Sequence, residues 1–323
     1  MLKEIDVSKI RVGMYVILPL SWFEHKFVSN KIKILYQQQL DNIRDLGVKT
    51  VTIDTSKGED VAEETDEQSS LDSLQKKFVE EIIPHALMEA IDDKALPAQK
   101  KAELVHQQSA IMMKRLLDNP TVQNIVEAKK GITQVVGLIL KDDTTTRHLL
   151  RITSHDFYTF SHSVTVGILS IALAKVLFKD AYGHNMNELG AGFFLHDVGK
   201  IQIDQAILNK PSGLTEEEIQ QVQRHPNLGF NILNKSGQLS AEAKVIVLQH
   251  HERHDGSGYP KHLRGDTIHI YAQICALADI YDALTSDRPY RKALGPFNAL
   301  KLMEQETVGH FRPDLFKEFV LLF

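Results

Sequence analysis

Residues 157–178 read FYTFSHSVTVGILSIALAKVLF, and the fold turns on how this stretch is taken. A helix on a protein surface carries one apolar stripe. This one is apolar nearly all round, which marks a helix buried at the centre of a domain. A histidine, His162, lies inside it.

Working outward toward the C-terminus, the reading is helix after helix. LTEEEIQQVQRH (214–225) opens with a capping box, Thr215 with Glu218 three residues later. Pro226 begins another helix, and SAEAKVIVLQHH (240–251) is a short one capped by Ser240. IYAQICALADIYDAL (270–284) is a further apolar helix, and no strand pattern of comparable strength follows residue 121.

Toward the N-terminus the pattern changes. VGMYVIL (12–18) and VKTVTID (48–54) read as strands around a helix in ILYQQQLDNIRDLG (34–47), which Gly47 stops. SKGEDVAEETDEQSS (56–70) holds six acids and one lysine, the composition of a solvated linker. Helical spacing resumes from residue 71 to about 118, interrupted by Pro84 and Pro97, and Pro120 starts a new helix. The expectation is a mainly α chain. A small α/β (α+β) domain spans 1–55, an acidic linker and connecting helices span 56–120, and an all-helical domain spans 121–323.

Composition narrows the function classes. The chain has 323 residues and a net charge of -5, which gives no global attraction to a nucleic acid polymer or an anionic membrane. Its one cysteine, Cys275, excludes an internal disulfide and fits a reducing compartment. No uninterrupted apolar run approaches a membrane span, and the first residues do not resemble a secretory signal. Fifteen histidines is the unusual count, because histidine so often serves as ligand or proton carrier.

The histidines cluster with aspartates. LHDVGK (195–200) sets His196 beside Asp197 near a helix end, with Gly199 breaking the helix and Lys200 one turn beyond His196. His225 sits at a helix junction, His250 and His251 are adjacent, and Asp279 lies inside an apolar helix. Taken singly, each has a plainer explanation. His162 alone is more often a satisfied core residue than a ligand, a lone buried acid is more often in a salt bridge, and Lys200 alone reads equally well as solvated. Seven such groups on five helices that share one core are better explained by a metal site.

The set is imidazole and carboxylate, which suits iron, manganese, zinc or related ions; Cys275 reads as a small core residue. Seven ligands exceed what one ion needs. Adjacent residues on a helix diverge by about 100°, so His250 and His251 suit two different ions, with a carboxylate such as Asp197 between them. Two metals a few ångströms apart suit phosphate ester hydrolysis, and Lys200 could add a cation for a phosphoryl oxygen.

These residues resemble the HD-GYP family, a branch of the HD superfamily of metal-dependent phosphohydrolases. The resemblance covers about residues 150 to 313 and rests on HDFYTFSHS, LHDVGKIQI, ILNKPSGLTEEE, RHPNLGFNIL, HHERHDGSGYP (250–260) and LADIYDALTSDRPYR. It implies a bacterial, cytoplasmic phosphodiesterase that degrades cyclic di-GMP on an all-helical HD-type domain. It also implies a centre of two or three divalent metal ions, iron or manganese foremost, with zinc, nickel, cobalt and magnesium as alternatives.

Carried over by motif, the metal ligands are His162, His196, Asp197, His225, His250, His251 and Asp279. Lys200 matches the lysine that holds the scissile phosphate, and Tyr259 the tyrosine of the GYP loop. Arg288 and Arg291 match basic positions that meet phosphate or guanine, and Asp156 an acid that reads a guanine edge. Two departures stand out. Tyr158 occupies the position where some members have a glutamate for a third metal, which favours a two-metal centre, and Arg312 replaces an acid in FRPD. SKIRVGMYVILPLSWFEHKF (8–27) resembles, more weakly, a domain often found ahead of HD-GYP domains. Within it, Trp22 and His25 read as packing of an apolar edge.

The expected reaction is attack of a two-metal-activated hydroxide on a phosphorus of cyclic di-GMP, giving linear pGpG, with GMP as a further end product. One alternative is another cyclic nucleotide such as cyclic GMP-AMP. Another is a docking module that binds diguanylate cyclases through the GYP loop.

Overall fold

The computed structural model describes residues 2–19, 30–34, 37–44, 46–60, 81–152, 159–179, 183–210, 212–287, 291–306 and 309–323. The chain divides into two units, Met1–Ile82 with Arg115–Ile125, and Ile83–Lys114 with Val126–Phe323.

The first unit holds four strands: β1 (Leu2–Asp6), β2 (Tyr15–Ile17), β3 (Lys31–Lys33) and β4 (Thr50–Asp54). They form one antiparallel sheet in the order β1-β4-β2-β3. Register places Ile5 opposite Val51 and Val16 opposite Ile53, so all four face the same core. Helix α1 (Gln37–Arg44) adds Leu40 and Ile43 to it, and Gly47, at φ 71°, lets the chain turn away toward β4. The strand expected over 12–18 is shorter than its apolar run, because Gly13 turns the backbone at φ 98° just before it.

The second unit is helical among its described residues, as the sequence predicts. Its helices include α2 (His85–Asp92), α3 (Ala98–Asp118), α4 (Val122–Lys141), α5 (Asp143–Leu149), α6 (Thr159–Leu177) and α7 (Met186–Phe194). The last residues of α3 and the first of α4 are counted in the first unit. A 3-10 turn over Val198–Gln202 leads through α8 (Gln205–Leu208) to α9 (Glu216–Val222), α10 (His225–Ser236) and α11 (Ala241–Gln249). Then come α12 (Ile270–Thr285), α13 (Pro296–Glu306) and α14 (Pro313–Val320). The capping box of Thr215 and Glu218, the Ser240 cap and the proline at the start of α10 are all present.

Helix α6 packs against α7 and α12, with Val164, Val166, Ile168 and Ile171 each at most 1% exposed. It is the one described helix long and apolar enough to cross a membrane by length and composition, and 67% of that window is buried inside the protein. Its apolar residues are thus accounted for as core.

Two glycines bring the site's elements together. A Cβ on Gly199 would stand 2.0 Å from the carbonyl oxygen of His225 and 2.5 Å from the nitrogen of Gly229. Only glycine lets the 3-10 turn after Asp197 lie against the start of α10. A Cβ on Gly167 of α6 would enter the Phe194 ring at 2.2 Å.

Candidate metal centre

The last carbonyls of a helix have no partner within it. Three histidines use them. His196, just beyond α7, places Nδ1 2.8 Å from the carbonyl oxygen of Phe193. His225, after α9, sits 2.7 Å from that of Val222, and His250, capping α11, 2.9 Å from that of Val247. A carbonyl can only accept, so each Nδ1 carries the hydrogen. In the neutral ring, Nε2 is then a bare lone pair. His162 is held differently: its Nδ1 donates to a carboxylate, Asp282 Oδ2, at 2.7 Å.

All four Nε2 atoms converge on Asp197. Its Oδ1 lies 3.2 Å from His225 Nε2 and 3.7 Å from His250 Nε2. Its Oδ2 lies 3.4 Å from both His162 Nε2 and His196 Nε2, and 2.5 Å from Lys200 Nζ. Each oxygen of one carboxylate thus serves a different pair of imidazoles. Asp279 Oδ1 is 3.3 Å from His162 Nε2, and its Oδ2 is 3.5 Å from His251 Nδ1. These residues form two groups with metal-ligand spacing: Asp197, His225, His250 and His251, and His162, His196 and Asp279.

The contacts that remain are ones a protein avoids. His225 Nε2 faces His250 Nε2 at 3.2 Å. Burial holds His225 and His250 below the ordinary imidazole value, so both are neutral near pH 7 and present lone pairs to each other. Asp197 Oδ1 is fully enclosed and accepts no hydrogen bond. Facing lone pairs and an enclosed, unbonded carboxylate oxygen are what a cation would satisfy. The donor set of imidazole and carboxylate fits a divalent metal, and this site is a divalent metal site.

The remaining electrostatics follow the same logic. Burial opposes the charge on Asp197, but Lys200 and His196 outweigh it and hold the carboxyl well below the usual range. Asp279 is held low by His162 and His251 against burial. His162 is the exception among the histidines. Burial opposes its charge, yet the hydrogen bonds it donates to Asp197, Asp279 and Asp282 hold a proton on it well above its ordinary value. His251 is pushed well below by burial and by His250. Burial and the charges of Asp279 and Asp197 raise Cys275, which stays a thiol and a core residue.

The GYP segment forms the rim. Tyr259 stacks on His251 with ring centroids 4.7 Å apart and meets His225 edge-on at 6.3 Å. Its hydroxyl is pushed up by burial, Asp279 and Asp197, so it keeps its proton. The loop is clamped by Glu252, 3% exposed, whose carboxylate accepts the backbone N–H groups of Lys261 at 2.7 Å and Leu263 at 2.9 Å.

The structure therefore brings together His162, His196, Asp197, Lys200, His225, His250, His251, Tyr259 and Asp279. Arg291 is placed otherwise. Its guanidinium donates to the carbonyls of Ala283 (2.5 Å), Leu284 (3.0 Å) and Lys292 (3.1 Å), so it ties down the C-terminal end of α12. Asp156, Tyr158, Arg288, Trp22 and His25 lie outside the described residues. Sequence reasoning misses Asp282 and Glu252. Asp282 stands three residues after Asp279, on the same helix face, and that spacing is the signal that could have found it. Glu252 follows two histidines and reads as an ordinary surface acid.

Residues 159–315 match the HD domain, and residues 2–130 match a domain of unknown function (DUF3391). A cyclic di-GMP phosphodiesterase of Pseudomonas aeruginosa is 35% identical over 331 residues, spanning 99% of this chain and 76% of that protein. A cyclic di-GMP phosphodiesterase response regulator of Xanthomonas campestris is 48% identical over 100 residues, 31% of this chain and 26% of that one. A 3'3'-cGAMP-specific phosphodiesterase of Vibrio cholerae is 37% identical over 160 residues, 49% of this chain and 34% of that one. The solved structure of an HDG"Y"P protein from Bdellovibrio bacteriovorus aligns with a TM-score of 0.63 at 19% identity, over 100% of this chain and 99% of that one, a likeness of fold.

Proposed function

The chain belongs to the HD-GYP branch of the HD-domain family, and from that membership we infer that it is a metal-dependent phosphodiesterase that hydrolyses cyclic di-GMP. One observation carries the reading from family to chemistry. Asp197 turns one oxygen toward His225 and His250 and the other toward His162 and His196. A carboxylate so placed could serve two cations at once. His225, His250 and His251 would complete one position, and His162, His196 and Asp279 the other. Imidazole and carboxylate without thiolate suit iron, manganese or zinc, and the family resemblance puts iron or manganese first.

When bound, two such ions supply Lewis acidity: they neutralise phosphoryl charge and lower the pKa of a water. The chain's own residues do the rest. Asp197 and Asp279 hold fixed negative charge at the floor. Lys200, its side chain 24% exposed, carries a cation from Asp197 to the open side, where charge grows on a phosphoryl oxygen. Its ammonium could also supply the proton that the leaving 3′-oxygen takes up. Tyr259 covers the floor with its ring and excludes water there. Asp156 and Arg288 are proposed to read guanine and phosphate, by motif. The product is linear pGpG, with GMP if a second cleavage follows. The cytoplasm is the compartment where the substrate class and a single free cysteine both fit.

Asp197→Ala tests this directly. Loss of bound metal together with loss of cyclic di-GMP turnover is expected; a variant that kept both would sink the mechanism. A second reading has its own support, since relatives of Vibrio cholerae at 37% to 42% identity are 3'3'-cGAMP-specific phosphodiesterases. Assaying cyclic di-GMP and cyclic GMP-AMP side by side separates the two. Docking of a diguanylate cyclase at the GYP rim is compatible with either, and loss of capture on Tyr259→Ala would mark it.

A further inference from the structure

The histidines around Asp197 are not held alike. His196, His225 and His250 donate Nδ1–H to neutral main-chain carbonyls. His162 donates to a carboxylate, Asp282 Oδ2 at 2.7 Å. Asp282 is 2% exposed. Its other oxygen accepts the Ser286 hydroxyl at 3.2 Å, and its backbone carbonyl accepts the Ser286 N–H at 2.9 Å. Helix α12 thus supplies both a ligand, Asp279, and the carboxylate that stands behind a ligand on α6.

An anionic partner on the far nitrogen fixes the ring's orientation and makes the near nitrogen a stronger donor. It also adds negative charge beside one cation position and not the other. The position of His162, His196 and Asp279 has Asp279 Oδ1 directly and Asp282 through His162. The position of His225, His250 and His251 has three imidazoles and shares of Asp197 and Asp279, whose Oδ2 lies 3.5 Å from His251.

We propose that Asp282 is a positioning residue that makes the His162–His196–Asp279 position the tighter of the two, the one filled first. This rests on the two-cation reading above. Because the effect runs through His162, it belongs to cation binding and needs no substrate.

The test is titration of manganese(II) alone into the metal-depleted full chain, followed by electron paramagnetic resonance, which separates free, single and exchange-coupled ions. Wild-type protein is expected to show a tight step and then a weaker one. Asp282→Asn keeps the volume and removes the charge. It should weaken the tight step by roughly 10–100-fold and leave the weaker step in place. Unchanged steps in Asp282→Asn would overturn the inference while leaving the metal centre standing. Wild-type protein that bound no manganese would overturn both. A purely structural Asp282 would lower thermal stability without changing the ratio of the two steps, and that result also counts against the proposal. Ser286→Ala keeps the carboxylate but strips one of its hydrogen bonds, and should give a smaller loss confined to the tight step. Should Asp282→Asn not fold, an unchanged tight step in Ser286→Ala refutes it.

Discussion

His225 and His250 face each other Nε2 to Nε2 at 3.2 Å, while the Nδ1 of each is committed to a main-chain carbonyl. Neither ring has a hydrogen to offer the other. A cation between or beside them removes the conflict, so metal should stabilise the folded protein. At a hundredfold excess over its Kd, a ligand that binds only the folded state adds about 2.7 kcal/mol. Thermal unfolding with and without manganese should show the corresponding rise in Tm, and chelation should reverse it.

Metal uptake should depend on pH with a definite sign. His162 holds a proton above the ordinary imidazole value of 6.5 in the metal-free protein, through Asp197, Asp279 and Asp282. Its Nε2 must lose that proton to serve as a ligand. Apparent affinity should therefore be low below 6.5, keep rising as pH passes above that value, and level off once His162 is neutral. His225 and His250 are held below 6.5 and contribute no such rise above it. Competition against a chelator across pH, with proton release read by a dye, checks this.

Lys200 is placed to compete with metal, and its proposed role in the reaction gives opposite expectations for binding and turnover. Its ammonium lies 2.5 Å from Asp197 Oδ2, the oxygen that also faces His162 and His196. Lys200→Ala should leave metal affinity equal or higher, and lower kcat by about 10²–10³-fold, the cost of losing one group that stabilises transition-state charge. Measuring both on one preparation distinguishes this from general damage, which would lower the two together.

Gly199→Ala should break the site from a distance. The new Cβ would meet backbone, the His225 carbonyl at 2.0 Å, which no rotamer can avoid. Overpacking of this kind costs about 1–3 kcal/mol. It would push the turn carrying Asp197 away from His225. Chemical denaturation reads the first effect, and weakened manganese binding reads the second.

Tyr259 separates ring from hydroxyl. Stacking on His251 at 4.7 Å belongs to the ring, and the hydroxyl keeps its proton. Tyr259→Phe should retain metal binding and lose only a few-fold in kcat/KM, about 1 kcal/mol for one hydrogen bond. Tyr259→Ala should lose more, chiefly through KM. Steady-state kinetics on cyclic di-GMP would show equal losses if the hydroxyl alone mattered.

The central helices are legible because burial on all sides leaves a compositional trace that no partner needs to supply. Helix α6 and α12 are of this kind, and the caps at Thr215 and Ser240 are local chemistry. Strands β1 and β3 are not legible. Both are edge strands, LKEID and KIK, whose charged residues suit a sheet edge and mask the alternation. Only pairing with β4 and β2 makes them strands. The ligands stand out as a cluster of types, but Asp282 and Glu252 do not. Their roles come from what they touch: a ring on another helix in one case, two backbone N–H groups in the other. Arg291 shows the converse, a cation with the right motif that donates three hydrogen bonds to carbonyls of its neighbours.

The carbonyls that orient His196, His225 and His250 belong to Phe193, Val222 and Val247. A carbonyl is the same whatever side chain it carries. The aim of these three rings is thus insulated from drift in the residues that hold them, so long as the helices end where they do. A change of side chain at Phe193, Val222 or Val247 leaves the carbonyl that aims each ring in place. The vulnerable points are instead changes in helix length: one residue inserted into the last turn of α7, α9 or α11 would rotate a ligand away from its partners.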